Sequence, residues 1–176
     1  MRTNLPVSNV EREFRDGETI VSKTDLAGMI TYVNPYFCEI SGYSAQESIG
    51  QPHNLIRHPD MPAEAFADLW TTLKAGKPWT ALVKNRCKDG AYYWVLALVA
   101  PMPGGFVSVR FKPSSPLLEL VESVYRDMRA IEIAAEERGA SGTDAMAEAT
   151  RHLLSALQSQ GFADYGAFMR TALLRE

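Results

Sequence analysis

The sequence predicts an α+β fold: a five-stranded antiparallel sheet with short helices over one face, followed by a C-terminal helical segment. Runs of β-branched and aromatic residues flank tight-turn signals near both ends of residues 18–113, and helical spacing replaces them in between. Beyond residue 113 the helical periodicity continues. We therefore expect a polar leader over 1–17, a sheet domain over 18–113 and a helical linker or small helical module over 114–176.

The composition excludes several functional classes. A formal net charge of −3 over 176 residues offers no general attraction to nucleic acid. No apolar run is long enough to insert into a membrane, and the leader lacks the apolar core of a signal peptide. Cys38 and Cys87 are far apart and outside any metal-type spacing, which is typical of free thiols in a reducing compartment. We expect a cytoplasmic protein.

The first elements form a hairpin and a short helix. Strands over 19–24 and 29–33 flank a turn at 25–28. Asn34 suits an N-cap and is followed by proline, which is favoured at the first helical position, and Gly42 ends this helix.

The middle of the chain changes character twice. Ser44 to Gln51 predicts another short helix, and 52–61 is irregular and rich in polar groups. The clearest helix begins near Pro62 and ends at Gly76. Its apolar residues recur at i, i+3, i+4 and i+7, namely Phe66, Leu69, Trp70 and Leu73.

Three strands complete the predicted sheet, over 79–87, 91–102 and 106–111. The Asp-Gly pair at 89–90 predicts a tight hairpin between the first two. The long strand is apolar on both faces, so both require a cover, and the C-terminal helix or a partner subunit can supply the second. The last strand alternates between two sets, Val107, Val109 and Phe111 against Ser108 and Arg110.

The tail predicts three helices. Ser114 to Pro116 caps the first, whose apolar residues follow a coiled-coil-like spacing of 4, 3, 4, 3, at Leu117, Val121, Val124, Met128 and Ile131. Thr143 caps the second, which places on one side Met146, Thr150, Leu153, Leu154 and Leu157. The third covers 162–174. This seam and the two-sided strand lead us to expect a homodimer.

Two segments carry a family resemblance. The run KNRCKDGAYYWV, Lys84 to Val95, resembles the second half of a PAS domain. The segment from Gly50 to Arg86 is similar, almost residue for residue, to the FAD-binding PAS domain of bacterial aerotaxis receptors. The resemblance covers roughly Val21 to Arg110. It implies a PAS fold, FAD as cofactor, and redox or oxygen sensing for a downstream chemotaxis-type signalling module or receptor.

Arg57, His58 and Asp60 stand together between two predicted helices. Arginine can bind a pyrophosphate through paired hydrogen bonds, histidine can donate to phosphate or stack on adenine, and aspartate can accept from a ribose hydroxyl. From the residues alone the ordinary interpretation is stronger, with Asp60 as a helix cap and the other two at the surface. The resemblance reverses this preference, because the same trio is associated with FAD binding in that family.

Further candidates are aromatic or amide side chains. Trp79 can lie against the isoalloxazine, whereas Phe66 and Trp70 suit the protein core and a ligand wall equally well. Asn85 offers both a donor and an acceptor, which suits a flavin edge that changes its hydrogen-bonding character on reduction. Asn34 can serve similarly, although its capping role already explains it.

The alternatives are a PAS module that only dimerises and a haem-binding oxygen sensor with His53 or His58 as ligand. Cysteine-adduct photochemistry is disfavoured because 54–58 contains no cysteine. Enzyme templates fail: the chain has no phosphate-binding glycine loop, nucleophile motif, metal-ligand cluster or paired carboxylates. We expect neither catalytic nor metal-binding residues, and the choice of FAD over FMN depends on the family.

Overall fold

The computed structural model describes residues 6–159 and 161–173. Five strands form one antiparallel sheet in the order β2-β1-β5-β4-β3, which confirms the predicted sheet. The last strand in sequence therefore lies at its centre, between β1 and β4. The strands are β1 (Ile20–Asp25), β2 (Ile30–Val33), β3 (Trp79–Arg86), β4 (Tyr92–Met102) and β5 (Gly105–Phe111).

Six α-helices and one 3₁₀ helix occur in the described residues. They are α1 (Pro35–Ser41), α2 (Ala45–Ser48), α3 (Ala63–Lys74), α4 (Ser115–Glu137), α5 (Gly142–Ser159), α6 (Tyr165–Leu173) and the 3₁₀ helix His53–Ile56. The stretch over 52–61 was predicted to be irregular, yet it contains this 3₁₀ helix. Isolated bridges at both of its ends, Met29 with Pro52 and Arg57 with Asn85, attach it to neighbouring chain segments.

The leader contacts the sheet over its described part. Its backbone pairs with the start of β4, because Tyr92 N donates to Val10 O at 2.9 Å and Arg12 N donates to Tyr92 O at 2.7 Å. Phe14 is buried, and its ring meets that of Tyr36 edge-on at 5.1 Å. Residues 6–14 are therefore a docked arm, whereas residues 1–5 lie outside the described residues.

The chain divides into two compact units. One, called here the sheet unit, comprises residues up to 58 together with 72–113. The other, the helical unit, comprises 59–71 and the residues from 114 onwards. Residues 59–71 were assigned from the sequence to the sheet domain. In the structure they contact the tail, and Ala63 N donates a hydrogen bond to Glu132 Oε1 at 2.8 Å. No sequence pattern within residues 59–71 indicates this contact.

The buried stripe of α4 differs from the predicted seam. Val124 and Ile131 are only half-buried, and the side chain of Leu117 lies outside the described residues. The stripe includes the polar side chains of Tyr125 and Glu132, which a search for apolar residues alone does not find. Its members keep the spacing of 4, 3, 4, 3 and are Val121, Tyr125, Met128, Glu132 and Ala135.

The next two helices begin at different residues from those predicted. Ser141 rather than Thr143 caps α5, since Ser141 Oγ accepts from Asp144 N at 3.2 Å. The buried side of α5 carries Ala145, Ala149, Leu153 and Leu157, whereas Met146, Thr150 and Leu154 are half-buried. The last helix begins at Tyr165 instead of residue 162, with Asp164 Oδ1 accepting from Ala167 N at 2.6 Å. Its predicted end, Leu174, lies outside the described residues.

The outer face of β4 and β5 is covered only in part. Trp94 is 5% exposed, but Leu98 and Phe111 keep 42% and 43% of their surface exposed. The outer face of the long strand β4 is therefore covered near its start, at Trp94, as predicted, but is exposed further along, at Leu98. In the described residues, no helix combines the length and the apolar character that crossing a membrane requires.

Candidate functional site

Pairing register brings the buried polar residues of the sheet to one face. Asn85 lies opposite Tyr93, Arg110 opposite Ala97, and Ser108 opposite Ser22. Directly opposed residues of antiparallel strands point to the same side, and so do residues two or four apart along one strand. We call this side, which carries Ser22, Asn85, Tyr93, Ser108 and Arg110, the inner face.

Four atoms of the inner face have no hydrogen-bond partner in the described part of the chain: Asn85 Nδ2, Tyr93 Oη, Ser108 Oγ and Arg110 Nη1. Their residues are between 0% and 6% exposed. Buried polar groups are nearly always paired, and leaving one unpaired costs roughly 1–3 kcal/mol. Such atoms on one face, beside the buried apolar side chains of Val95 and Ala97, fit a ligand with both flat apolar surface and polar edges.

Ser22, His53 and Arg110 form a compact cluster on the inner face. Arg110 Nη2 lies 2.7 Å from His53 Nε2 and donates to Ser22 Oγ at 3.1 Å. Ser22 Oγ is also 3.1 Å from His53 Nε2. Burial, with Arg110 as a second cause, lowers the pKa of His53 to about 3, so the ring is neutral at pH 7 and Nε2 accepts from the guanidinium. The 3₁₀ helix that carries His53 therefore lies over the inner face.

Arg110 carries the positive charge of this cluster. The residue is 4% exposed, and burial lowers the pKa of its guanidinium to about 10, which leaves it charged at pH 7. Within the described ranges no carboxylate forms an ion pair with it. Tyr93 is fully buried, and burial raises its pKa, so this hydroxyl stays protonated beside the cation.

Three predicted site residues lie near one another at the β3 end of the sheet. The backbones of Arg57 and Asn85 form an antiparallel bridge. His58 follows at once, is 2% exposed, and meets the ring of Tyr92 edge-on at 5.9 Å. Arg57 is half-buried. The end of the 3₁₀ segment is thus attached to β3 at Asn85, whose Nδ2 has no partner among the described residues.

Trp79 and Asn34 occupy different surroundings. Trp79 is 5% exposed and shares the inner face with Asn85, but six residues separate them, roughly 20 Å along the strand. They therefore cannot contact the same edge of one ring. The amide of Asn34 is engaged in local structure: its Oδ1 accepts from Val21 N and Phe37 N at 3.0 and 3.1 Å, and its Nδ2 donates to Thr19 O at 2.7 Å.

Asp60, Phe66 and Trp70 belong to the helical unit. Asp60 is exposed, and the two aromatic side chains are half-buried. The structure therefore groups them apart from Arg57, His58 and Asn85, and their role towards a ligand stays a prediction.

Ser22, Tyr93, Ser108 and Arg110 were not predicted as site residues. In β5 the pattern of valines alternating with Ser108 and Arg110 suggests buried valines and solvated polar groups. In the structure Ser108 and Arg110 are buried, whereas Val107 and Val109 are half-buried and Phe111 is exposed. An arginine placed in the central strand of a sheet is the available signal, but recognising it requires the strand order.

No group of three or more histidine, cysteine, aspartate or glutamate side chains suited to a metal occurs among the described residues.

Comparison with known proteins gives one family and several relatives. The family described as PAS fold matches residues 30–107. The aerotaxis receptor of Escherichia coli strain K12 is 47% identical over 135 residues, covering 74% of this chain and 27% of the receptor. The nitrogen fixation regulatory protein of Klebsiella pneumoniae is 34% identical over 82 residues, covering 47% of this chain and 17% of the regulator. The chain thus spans about a quarter of the first relative's length and less than a fifth of the second's.

A solved structure supports the fold alone. A light-oxygen-voltage domain studied with a flavin analogue superposes with a TM-score of 0.52 at 20% identity, covering 60% of this chain and 83% of that domain.

Proposed function

Residues 30–107 match the family of PAS-fold proteins, and on this premise we propose that the chain is a redox or oxygen sensor whose PAS domain binds FAD. The observation that carries the proposal is the set of unpaired, buried polar atoms on the inner face. Identity of 47% with an aerotaxis receptor supports a role in energy sensing. FAD rather than FMN is chosen because the Arg57, His58 and Asp60 trio matches the aerotaxis family.

Each candidate residue has a chemical part in this proposal. Arg57 would hold the pyrophosphate, and His58 and Asp60 the adenosine half. Trp79 would lie against the isoalloxazine, Phe66 and Trp70 would supply further apolar wall, and Asn34 would contribute chiefly by holding α1 in place. A bound flavin supplies a centre that accepts and releases electrons.

Asn85 is the proposed reporting residue. Its buried Nδ2 has no partner in the described part of the chain, so the amide can donate to a ligand atom or rotate and accept from it. Its backbone pairs with that of Arg57, so a movement at Asn85 would pass to the segment leading into α3.

The proposed context is cytoplasmic signalling as a homodimer, with a chemotaxis-type signalling module or receptor as the downstream partner. Leu98 and Phe111, exposed on the outer face, support the dimer. The protein is proposed to act by binding and reporting, without catalysis.

Two alternatives are weaker. A module that only dimerises needs a filled core, and it has no use for unpaired buried polar atoms on one face. Haem coordination through His53 requires Nε2, which lies 2.7 Å from Arg110 Nη2 and accepts from it.

The cofactor itself is the first test. We expect the purified full chain to show the absorption bands of oxidised flavin, and heat release followed by chromatography to yield one FAD per chain. Arg57→Ala should lose most of the bound FAD, whereas Arg126→Ala, an exposed arginine of α4, should retain it. A chain that is colourless and binds no added FAD would contradict the proposal.

Reporting through Asn85 is tested separately. Limited proteolysis of the oxidised and reduced wild-type protein should give different cleavage rates in the tail. Asn85→Ala that still holds FAD should lose this difference, while Asn54→Ala, an exposed asparagine of the 3₁₀ helix, should keep it. A redox-dependent pattern in Asn85→Ala equal to that of wild type rejects Asn85 as the reporter.

A further inference from the structure

Arg110 is a buried cation in the middle of the sheet. It lies in β5, the central strand, and 4% of its surface is exposed. Burying a charge without an opposite charge is costly, and proteins pair such groups or place them against a ligand. In the described ranges Arg110 forms no ion pair, and the two side chains that it contacts by hydrogen bonds, Ser22 and His53, are neutral.

A count of hydrogens shows which part of the guanidinium remains unused. Nη2 carries two hydrogens, and its two contacts, to Ser22 Oγ at 3.1 Å and His53 Nε2 at 2.7 Å, account for both. Nη1 carries two more and has no acceptor among the described residues. Ser22 and His53 thus hold the planar group in one orientation and leave a pair of charged donors on the inner face.

We propose that Arg110, positioned by Ser22 and His53, binds the electron-rich edge of the flavin ring rather than a phosphate. This inference rests on the proposed function and adds a residue that the family motif does not include. The position favours the ring because β5 is central, with a strand paired on either side. Arg57, the candidate for the pyrophosphate, pairs instead with β3 at the edge of the sheet, where a charged group remains closer to solvent.

The charge gives Arg110 a second effect, on the reduction potential. In a titration with dithionite, which supplies two electrons and is oxidised to sulfite, a bound flavin would take up two electrons and one proton and so gain one negative charge. A fixed cation beside the ring stabilises that charge. Arg110 therefore raises the midpoint potential of the bound flavin.

Reconstitution with three flavins tests the assignment. Ligand-free wild type, Arg110→Met, Arg110→Lys and Lys23→Met are titrated with riboflavin, FMN and FAD. Lys23→Met is the matched control, since it removes one positive charge from an exposed residue next to Ser22 on the opposite side of β1. We expect Arg110→Met to weaken binding of all three by a similar factor, roughly 10- to 100-fold, because a charge-assisted hydrogen bond is lost. Arg110→Lys should recover part of the loss, and Lys23→Met should bind as wild type does.

The midpoint potential gives an independent readout. For a two-electron couple, a tenfold loss of preference for the reduced form lowers the potential by about 30 mV. We expect a decrease of at least this size in Arg110→Met loaded at saturating FAD, and a smaller one in Arg110→Lys. A potential unchanged in both variants would overturn the electrostatic role.

The remaining outcomes separate this inference from the proposed function. If the wild-type chain binds flavin and Arg110→Met binds it with the same affinity, the inference is refuted and the proposed function stands. A loss confined to FMN and FAD assigns Arg110 to phosphate and overturns the ring assignment. Failure of the wild-type chain to bind any flavin refutes both.

Discussion

The inner face of the sheet unit and the interior of the helical unit both bury charged side chains, but they satisfy them differently. In the helical unit Arg129 donates to Glu132 Oε2 at 2.9 Å, and Glu132 Oε1 accepts from Ala63 N at 2.8 Å. The hydroxyls of Tyr125 and Tyr165 lie 2.6 Å apart. In the sheet unit, Arg110 has one terminal nitrogen without a partner among the described residues, and the amide of Asn85 is unpaired at Nδ2.

This difference separates structural burial from burial that serves a ligand. A closed network such as that of Arg129 and Glu132 strengthens the packing that contains it. Unpaired groups aligned on one face weaken the ligand-free fold, and a ligand that pairs them recovers that loss on binding. The polar interior of the helical unit therefore holds its helices together, whereas the inner face of the sheet unit carries unpaired polar atoms that the proposed ligand would pair.

The largest expected effect is in the closed network. Glu132→Ala leaves the buried Arg129 with only the more distant carboxylate of Glu136, 4.0 Å away, and α3 without an acceptor at Ala63, so unfolding of the helical unit should become easier by about 3 kcal/mol. Urea denaturation followed by circular dichroism measures this change. Glu132→Gln still accepts from the backbone, so its free energy of unfolding should lie between those of wild type and Glu132→Ala. The exposed Glu137→Ala is the control, and equal stability of Glu132→Ala and Glu137→Ala would show that the network contributes nothing.

A pH series tests the neutral state of His53. Its pKa is lowered from 6.5 in the unfolded chain to about 3 in the fold, so only the unfolded state takes up a proton between these values. Stability of the sheet unit is full above pH 6.5 and falls with decreasing pH, by roughly 2 kcal/mol between pH 6.5 and 5. His53→Gln should make the decline shallower, and His152→Gln, at an exposed residue, should not. Identical pH profiles for wild type and His53→Gln would refute the neutral buried ring.

Asn34 is a polar group of the sheet unit whose amide is engaged at both ends. Asn34→Ala removes two acceptor bonds and one donor bond at the start of α1, and should destabilise the ligand-free protein by about 1–2 kcal/mol. Thermal unfolding gives the value, with Asn54→Ala as the control. If Asn34→Ala instead keeps full stability but loses FAD, the residue belongs to the ligand site rather than to the helix cap.

The smallest effect is expected where the polar atom is unpaired. In the ligand-free protein, Asn85→Leu and Ser108→Ala should change stability by no more than about 0.5 kcal/mol, because an apolar replacement removes the desolvation cost of an unpaired group. The same Asn85→Leu protein should bind FAD more weakly than Ser108→Ala. A large loss of stability in ligand-free Asn85→Leu would show that Asn85 is part of a structural network, and the contrast between the two units would then disappear.

The predictions from the sequence were accurate where the signal is local. The hairpin turn before Gly28, the cap at Asn34 and the Asp-Gly turn all occur as expected, because a few adjacent residues determine each of them. Helix starts were less accurate in the tail, where Ser141 rather than Thr143 caps α5 and α6 begins at Tyr165 instead of residue 162. Before α5, the side chains of Ser141, Thr143 and Asp144 can all cap a helix, so the local sequence does not single out one of them.

The sequence by itself determined the α+β class, the five strands, the PAS resemblance and the Arg57, His58 and Asn85 candidates. Only the tertiary structure decided that β5 lies at the centre of the sheet, which turns Arg110 from a residue of a half-polar strand into a buried cation. It also decided that residues 59–71 pack with the tail, through a bond to a glutamate 69 positions away from Ala63. Both depend on pairing between distant segments, and the periodicity of one segment carries no information about which partner will cover it.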